Sequence, residues 1–128
     1  AGDAGDEELE RGAASGDPEG MVRLGRKLAK EEQGCTRAKS LFQRAADSEH
    51  LEGIVRYAQM LEDEGDHGGA LRGYREAAGR GSPSAMFFAA RLLEADDRSE
   101  ALTLYERASE LGLAPAAVRL TVLTSAET

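Results

Sequence analysis

The sequence has one cysteine, no asparagine, no tryptophan and two histidines in 128 residues. A single thiol, Cys35, cannot close an internal disulfide. The fold therefore does not depend on an oxidising compartment, and a reducing cytosol is the default location. Positive charge is scarce: 16 Lys and Arg stand against 24 Asp and Glu, for a net charge of −8 and a pI near 4.8. Repulsion of the molecule as a whole argues against nucleic acid or an anionic membrane as its main partner. No apolar run approaches the length needed to cross a bilayer, and no charged-then-apolar secretory signal opens the chain. There is no phosphate-cradling Gly loop, no nucleophile elbow and no paired metal-ligand spacing, so neither a cofactor nor a metal is expected. The chain opens on Ala1 instead of Met, and it is expected to be one domain of a longer protein.

What the sequence does have is repetition. Leu41-Phe42-Gln43-Arg44-Ala45-Ala46 returns as Gly73-Tyr74-Arg75-Glu76-Ala77-Ala78 and again as Leu104-Tyr105-Glu106-Arg107-Ala108-Ser109, at spacings of 32 and then 31 residues. A period of this length marks one small helical unit, copied and stacked so that each copy buries its apolar face on the next. Residues 1–7 are small and acidic and are expected to form a tail or linker. A half-repeat at 8–16 has Glu10 where later copies carry an aromatic, as suits a polar cap. Repeats follow at 17–48, 49–80 and 81–112, then a terminal helix at 113–126.

Each repeat reads as helix A, a short acidic loop and helix B. The predicted helices run 7–15, 18–32, 36–47, 50–64, 68–80, 83–95, 99–111 and 114–126. Asp17-Pro18 and Ser82-Pro83 open two of the A helices as a cap followed by Pro at the first helical position, and Asp97-Arg98-Ser99-Glu100 has capping-box spacing. Gly16, Gly81 and Gly112 stand where a left-handed helix terminus is wanted. Glu49 takes that place after the first full repeat, so this turn is expected to be less sharply fixed. Gly25, Ala58 and Ala90 on helix A, with Ala38, Ala70, Ala101, Ala45, Ala77 and Ala108 on helix B, let the helices pack closely. Leu24, Tyr57, Leu120, Phe42, Tyr74 and Tyr105, together with Leu28, Leu61 and Leu93, are read as the core between repeats.

The Leu24-Gly25 pair, the Ala-aromatic-Ala spacing on helix B, and the Ala-Ala-x-x-Gly turn into a Pro or acidic helix start resemble Sel1-like and tetratricopeptide repeats over residues 9–126. The turn form is closer to Sel1-like repeats. The resemblance implies an all-α fold, a right-handed α-solenoid of seven or eight helices in stacked antiparallel pairs, with helices A lining a concave surface. It also implies a scaffold that docks a peptide or partner helix, and it leaves the partner open because the matching positions are packing positions.

The register then picks out helix A residues that face neither the partner helix nor the next repeat. One row is Val22, Val55, Phe87 and Val118; its neighbour is Arg23, Arg56, Phe88 and Arg119; the next turn adds Arg26, Gln59, Arg91 and Val122. These rows are apolar and cationic, whereas the acids of the A helices sit near the ends, at Glu19, Glu52, Glu62, Asp63 and Glu94. Arg forks suit carboxylates, and an apolar row beside them suits alternate side chains of an extended peptide. The expected partner is an acidic or amphipathic protein segment. Phe87-Phe88 is the candidate aromatic anchor. The competing reading is that the arginines are solvated residues, with stems covering apolar surface and heads reaching Glu or Asp of a neighbouring helix. Tetratricopeptide domains that clamp a terminal carboxylate use Asn and Lys, and Arg23, Arg56 and Arg119 stand where that Asn would match. The usual clamp is therefore not expected, and an Arg-based variant of it stays open.

Chemistry has little to work with. Cys35 and His67 fall at the same place in successive repeats and His50 at a helix A start, so no catalytic pair is expected, and no enzyme. Glu62-Asp63-Glu64-Gly65-Asp66 lacks the ligand alternation of a calcium loop and reads as solvated. The alternative to a docking groove is a structural role. Ala116, Ala117, Val118, Leu120, Val122 and Leu123 put apolar residues on more than one face of the last helix, which suits packing on another domain or a second copy.

Overall fold

In a computed structural model, which describes residues 4–31 and 33–125, all regular structure among the described residues is helical. The elements are α1 (Ala4–Ala14), α2 (Pro18–Ala29), α3 (Cys35–Asp47), α4 (Leu51–Asp63), α5 (His67–Gly79), α6 (Pro83–Leu93), α7 (Arg98–Glu110) and α8 (Ala114–Ser125). They fall into two compact units, Ala1–Asp66 and His67–Thr128. In the N-terminal unit α1 packs on α2, α2 on α3 and α3 on α4, and α2 also touches α4. In the C-terminal unit α5 packs on α6, α6 on α7 and α7 on α8.

Side-chain caps start several helices. Asp17 accepts from the Glu19 N–H at 3.3 Å, Ser82 from Ala85 at 3.2 Å and Asp97 from Glu100 at 3.1 Å. The pattern starts a helix at His50; instead its ring Nδ1 accepts from the Gly53 N–H at 3.2 Å, and α4 begins one residue later. Gly34 stands at the α3 cap without a side-chain bond. α1 begins at Ala4, earlier than the expected residue 7, so residues 4–7 are helical. Asp6 and Glu7 complement the positive end of the helix dipole, and Asp6 pairs with Lys27 of α2. The rest of the expected tail, residues 1–3, and the expected helix ends at Glu32 and Ala126 lie outside the described residues.

The core of the N-terminal unit joins Ala13, Met21, Val22, Leu24, Ala38, Leu41, Phe42 and Ala45, with Leu9, Leu28, Tyr57 and Met60 against it. In the C-terminal unit Tyr74, Met86 and Tyr105 are the largest fully buried side chains. Gly25 lies against the Phe42 ring, as its register predicts: a Cβ built there would sit 2.6 Å from Phe42 Cε1. A second small-residue row escapes the pattern. Gly20, Gly53, Ala85 and Ala116 share one register position near the start of each A helix, and all four are buried. A Cβ built on Gly53 would meet the Ala45 Cβ at 2.7 Å and the Ala45 and Ala46 backbone at 3.0 Å. Here two helix backbones nearly touch.

The turn at Glu49 is as well formed as the others, which corrects the expectation from its sequence. Glu49 itself takes φ +62°, beside +87° at Gly16 and +96° at Gly81 and Gly112. The bonds from His50 N–H to Ala45 O (3.1 Å) and from Glu49 N–H to Ala46 O (2.8 Å) repeat those from Ser82 to Ala77 (3.1 Å) and from Gly81 to Ala78 (3.0 Å). The hydrogen bonds impose the left-handed conformation, and a residue with a Cβ then carries a strain of about 1–2 kcal/mol. Glu49→Gly is expected to stabilise the protein by about 1 kcal/mol, raising Tm by about 4 °C in a calorimetric scan.

Candidate functional site

In the N-terminal unit the candidate residues come from α2 and α4. Val22 and Val55 do not line a surface: they are 1 % and 8 % exposed, and Val22 belongs to the core. Their rotation inward follows from the close approach at Gly20 and Gly53, which draws each A helix onto the preceding B helix and turns the residue two places on into the interior. The charged and polar candidates stay outside. Arg23 reaches Glu19 at 3.2 Å, Arg26 reaches Glu52 at 3.5 Å, and Arg56 Nε meets the same Glu52 at 3.4 Å. The acids at the helix starts thus hold part of the cationic rows, Arg23 and Arg56 within their own helices and Arg26 across to α4.

Arg26, Arg56 and Gln59 come together with Lys30 and Asp63 around an open pocket of about 320 Å³, lined also by Phe42, Ala29 and Met60. Three cations and the Asp63 carboxylate line it, and Glu52 already pairs with two of those cations, Arg26 and Arg56. Lys30, Met60 and Ala29 were not singled out from the sequence, because each is ordinary at its own position. Comparing the same register position across repeats would have exposed them.

In the C-terminal unit Phe87 and Phe88 are both half-buried, with ring centroids 5.8 Å apart. Phe87 lies edge-on to Tyr105 at 5.7 Å, and Phe88 packs on Tyr74 at 5.3 Å while the Arg91 guanidinium sits 5.4 Å above its face. The pair is built into the stack more than it is offered as an anchor. Val118 is 65 % exposed. Arg119 grips Glu94, with Nε at 3.1 Å from both carboxylate oxygens, and the Tyr105 hydroxyl donates to the same carboxylate at 2.6 Å. The Arg119 bonds hold the Glu94 carboxyl below its ordinary pKa of 4.5, partial burial opposes this, and the Tyr105 bond adds to the lowering. Burial, then the Glu94 bond and charge, push the Tyr105 phenol well above its ordinary value.

The remaining candidates stay apart from this arrangement. Cys35 is exposed at the first residue of α3, His67 is the first residue of α5, and His50 is engaged as a cap. Among the described residues no group of three or more His, Cys, Asp or Glu could hold a metal ion, and no helix is long and apolar enough to cross a membrane.

Helices packed sequentially in pairs in this way have counterparts among solved structures. A protective antigen of uropathogenic Escherichia coli with an SLR fold matches over 92 % of this chain at a TM-score of 0.86 and 23 % identity. A Sel1 repeat protein from Oxalobacter formigenes matches over 90 % at a TM-score of 0.74 and 27 % identity. The chain has the Sel1-like repeat fold. It spans 28 % of the length of the E. coli antigen and 96 % of that of the Oxalobacter protein. No family model matches the sequence, and no curated protein does. Sel1-like repeats generally mediate protein interactions.

Proposed function

We propose that this Sel1-like chain is a non-catalytic interaction module that docks an acidic, partly apolar segment of another protein on its A helices, as one domain of a larger protein. The observation that carries this reading is the convergence of Arg26, Lys30 and Arg56 on one pocket in a chain whose net charge is −8. Cations gathered against the overall charge mark where an anionic partner is preferred, and planar Arg forks suit carboxylates. Arg23 extends the cationic surface of α2, while in the C-terminal unit Val118 offers an exposed apolar contact, Phe87, Phe88 and Arg91 are engaged with one another and with the stack, and Arg119 is held by Glu94. The test is binding of a fluorescent array of acidic amphipathic peptides to the wild type and to the double variant Arg26→Glu, Arg56→Glu, with helicity checked by circular dichroism. Binding that weakens at least tenfold in a folded variant, and falls with added salt, is expected. Equal binding by both proteins sinks the reading.

A second reading has its own observation. On α8, Val118 and Val122 lie one turn apart and are 65 % and 50 % exposed. A second copy covering them would make the chain an assembly module. Sedimentation velocity over a concentration series separates the readings: self-association abolished by Val122→Glu supports assembly, and a monomer at all concentrations rejects it.

A further inference from the structure

The repeats let one part of the molecule report on another. By register, Glu94, Tyr105 and Arg119 of the C-terminal unit correspond to Ala29, Phe42 and Arg56 of the N-terminal unit. Each member stands on a matching element: Glu94 directly after α6 and Ala29 at the end of α2, Tyr105 on α7 and Phe42 on α3, Arg119 on α8 and Arg56 on α4. In the C-terminal unit the three are joined, with the carboxylate forked onto Arg119 and accepting from the tyrosine hydroxyl. In the N-terminal unit the Arg remains while the carboxylate is reduced to a methyl group and the hydroxyl is missing. The 320 Å³ pocket is lined by this altered triad, Ala29, Phe42 and Arg56.

We infer that this pocket receives one glutamate side chain of the docked segment, the ligand supplying to Arg56 the carboxylate that Glu94 supplies internally to Arg119. The inference rests on the docking reading above and narrows it to a side chain and a place. Its chemistry follows from what changed. Phe42, 2 % exposed, gives an apolar floor for the two methylenes, where a tyrosine hydroxyl would have demanded a buried partner. Lys30 adds positive charge around the incoming carboxylate, Arg26 adds more while sharing Glu52 with Arg56 at 3.5 Å, and Gln59 brings an amide donor. Arg56 Nε meets Glu52 at 3.4 Å, longer than the 3.1 Å contacts of Arg119 with Glu94, so a better-placed carboxylate displaces a weaker contact.

The test uses the Nε–Hε signal of Arg56 in ¹⁵N-labelled protein, titrated with N-acetyl-glutamate methylamide and, separately, with its glutamine counterpart. A saturable shift with the glutamate probe and none with the glutamine probe is expected. In Ala29→Glu, which restores the carboxylate from within, the Arg56 signal should be displaced before any probe is added, and the titration lost. The same variant should weaken acidic peptides about tenfold. Equal responses to the two probes, no response to either, or wild-type titration by a folded Ala29→Glu overturns the inference. The two probes on the wild type decide the matter even where that variant does not fold. Peptides that bind Ala29→Glu normally but not the Arg26, Arg56 double variant overturn the pocket inference and leave docking standing. Peptides that fail throughout while Arg56 answers the glutamate probe overturn docking instead.

Discussion

Gly53→Val is expected to destabilise the N-terminal unit by about 3 kcal/mol or more, seen as a large fall in urea midpoint. At Gly53 a first carbon already lies 2.7 Å from the Ala45 Cβ and 3.0 Å from backbone atoms of Ala45 and Ala46. Two further methyl groups must force α3 and α4 apart, and Phe42 and Ala45 of the same core move with α3. The helix-propensity gain over Gly, a few tenths of a kcal/mol, is too small to offset this. Gly53→Ala should cost much less, because Ala85 and Ala116 occupy the same register position and are fully buried with a Cβ in place. A Val variant as stable as wild type would overturn the close α3–α4 approach at Gly53.

Glu94→Ala is expected to cost about 2–3 kcal/mol, more than Tyr105→Phe at about 1 kcal/mol. The Glu94 side chain is 19 % exposed, and Tyr105 is fully buried with its hydroxyl on that carboxylate. Removing the acceptor strands a buried phenol; removing the hydroxyl leaves a carboxylate still held by Arg119. The double variant should therefore cost less than the sum of the two, a coupling of about 1 kcal/mol. The pH dependence has a definite sign. Glu94 has a folded pKa below its unfolded value, so its contribution is complete above the ordinary carboxylate pKa of 4.5 and is lost as pH falls through the lowered folded value. Below about pH 4.5 the wild type should lose stability more steeply than Glu94→Gln. Tyr105 acts at the other extreme. Its raised folded pKa keeps its contribution intact below the ordinary phenol value of 10.0 and removes it as pH climbs beyond. Urea titrations at stepped pH check both limits.

The architecture was legible because packing leaves periodic marks. Ala45, Ala77 and Ala108 recur where each B helix is crossed, and all three are completely buried. Asp17, Ser82 and Asp97 cap where their positions suggested. The surface was less legible. Val22 and Val55 look like groove residues by register alone, and only the depth of the crossing at Gly20 and Gly53 turns them inward. Glu49 misled because the sequence shows side-chain preference, while the local backbone hydrogen bonds that close the end of α3 override it. The pocket beside Arg56 depends on what Ala29 and Phe42 lack relative to Glu94 and Tyr105, and no single position carries that signal.

Because α1 packs on α2, α2 on α3 and α3 on α4, the growing polypeptide meets each partner in the order in which a ribosome delivers it. Nothing in that unit waits for a distant segment to be made. Such short-range topologies fold in microseconds to milliseconds, whereas translation adds roughly 5–20 residues each second. Helix pairs can therefore dock while the rest of the chain is still inside the ribosome, and sticky intermediates are brief. A chain stalled early would hold its first helix pairs in native order, each still without the neighbour on which it buries its apolar face.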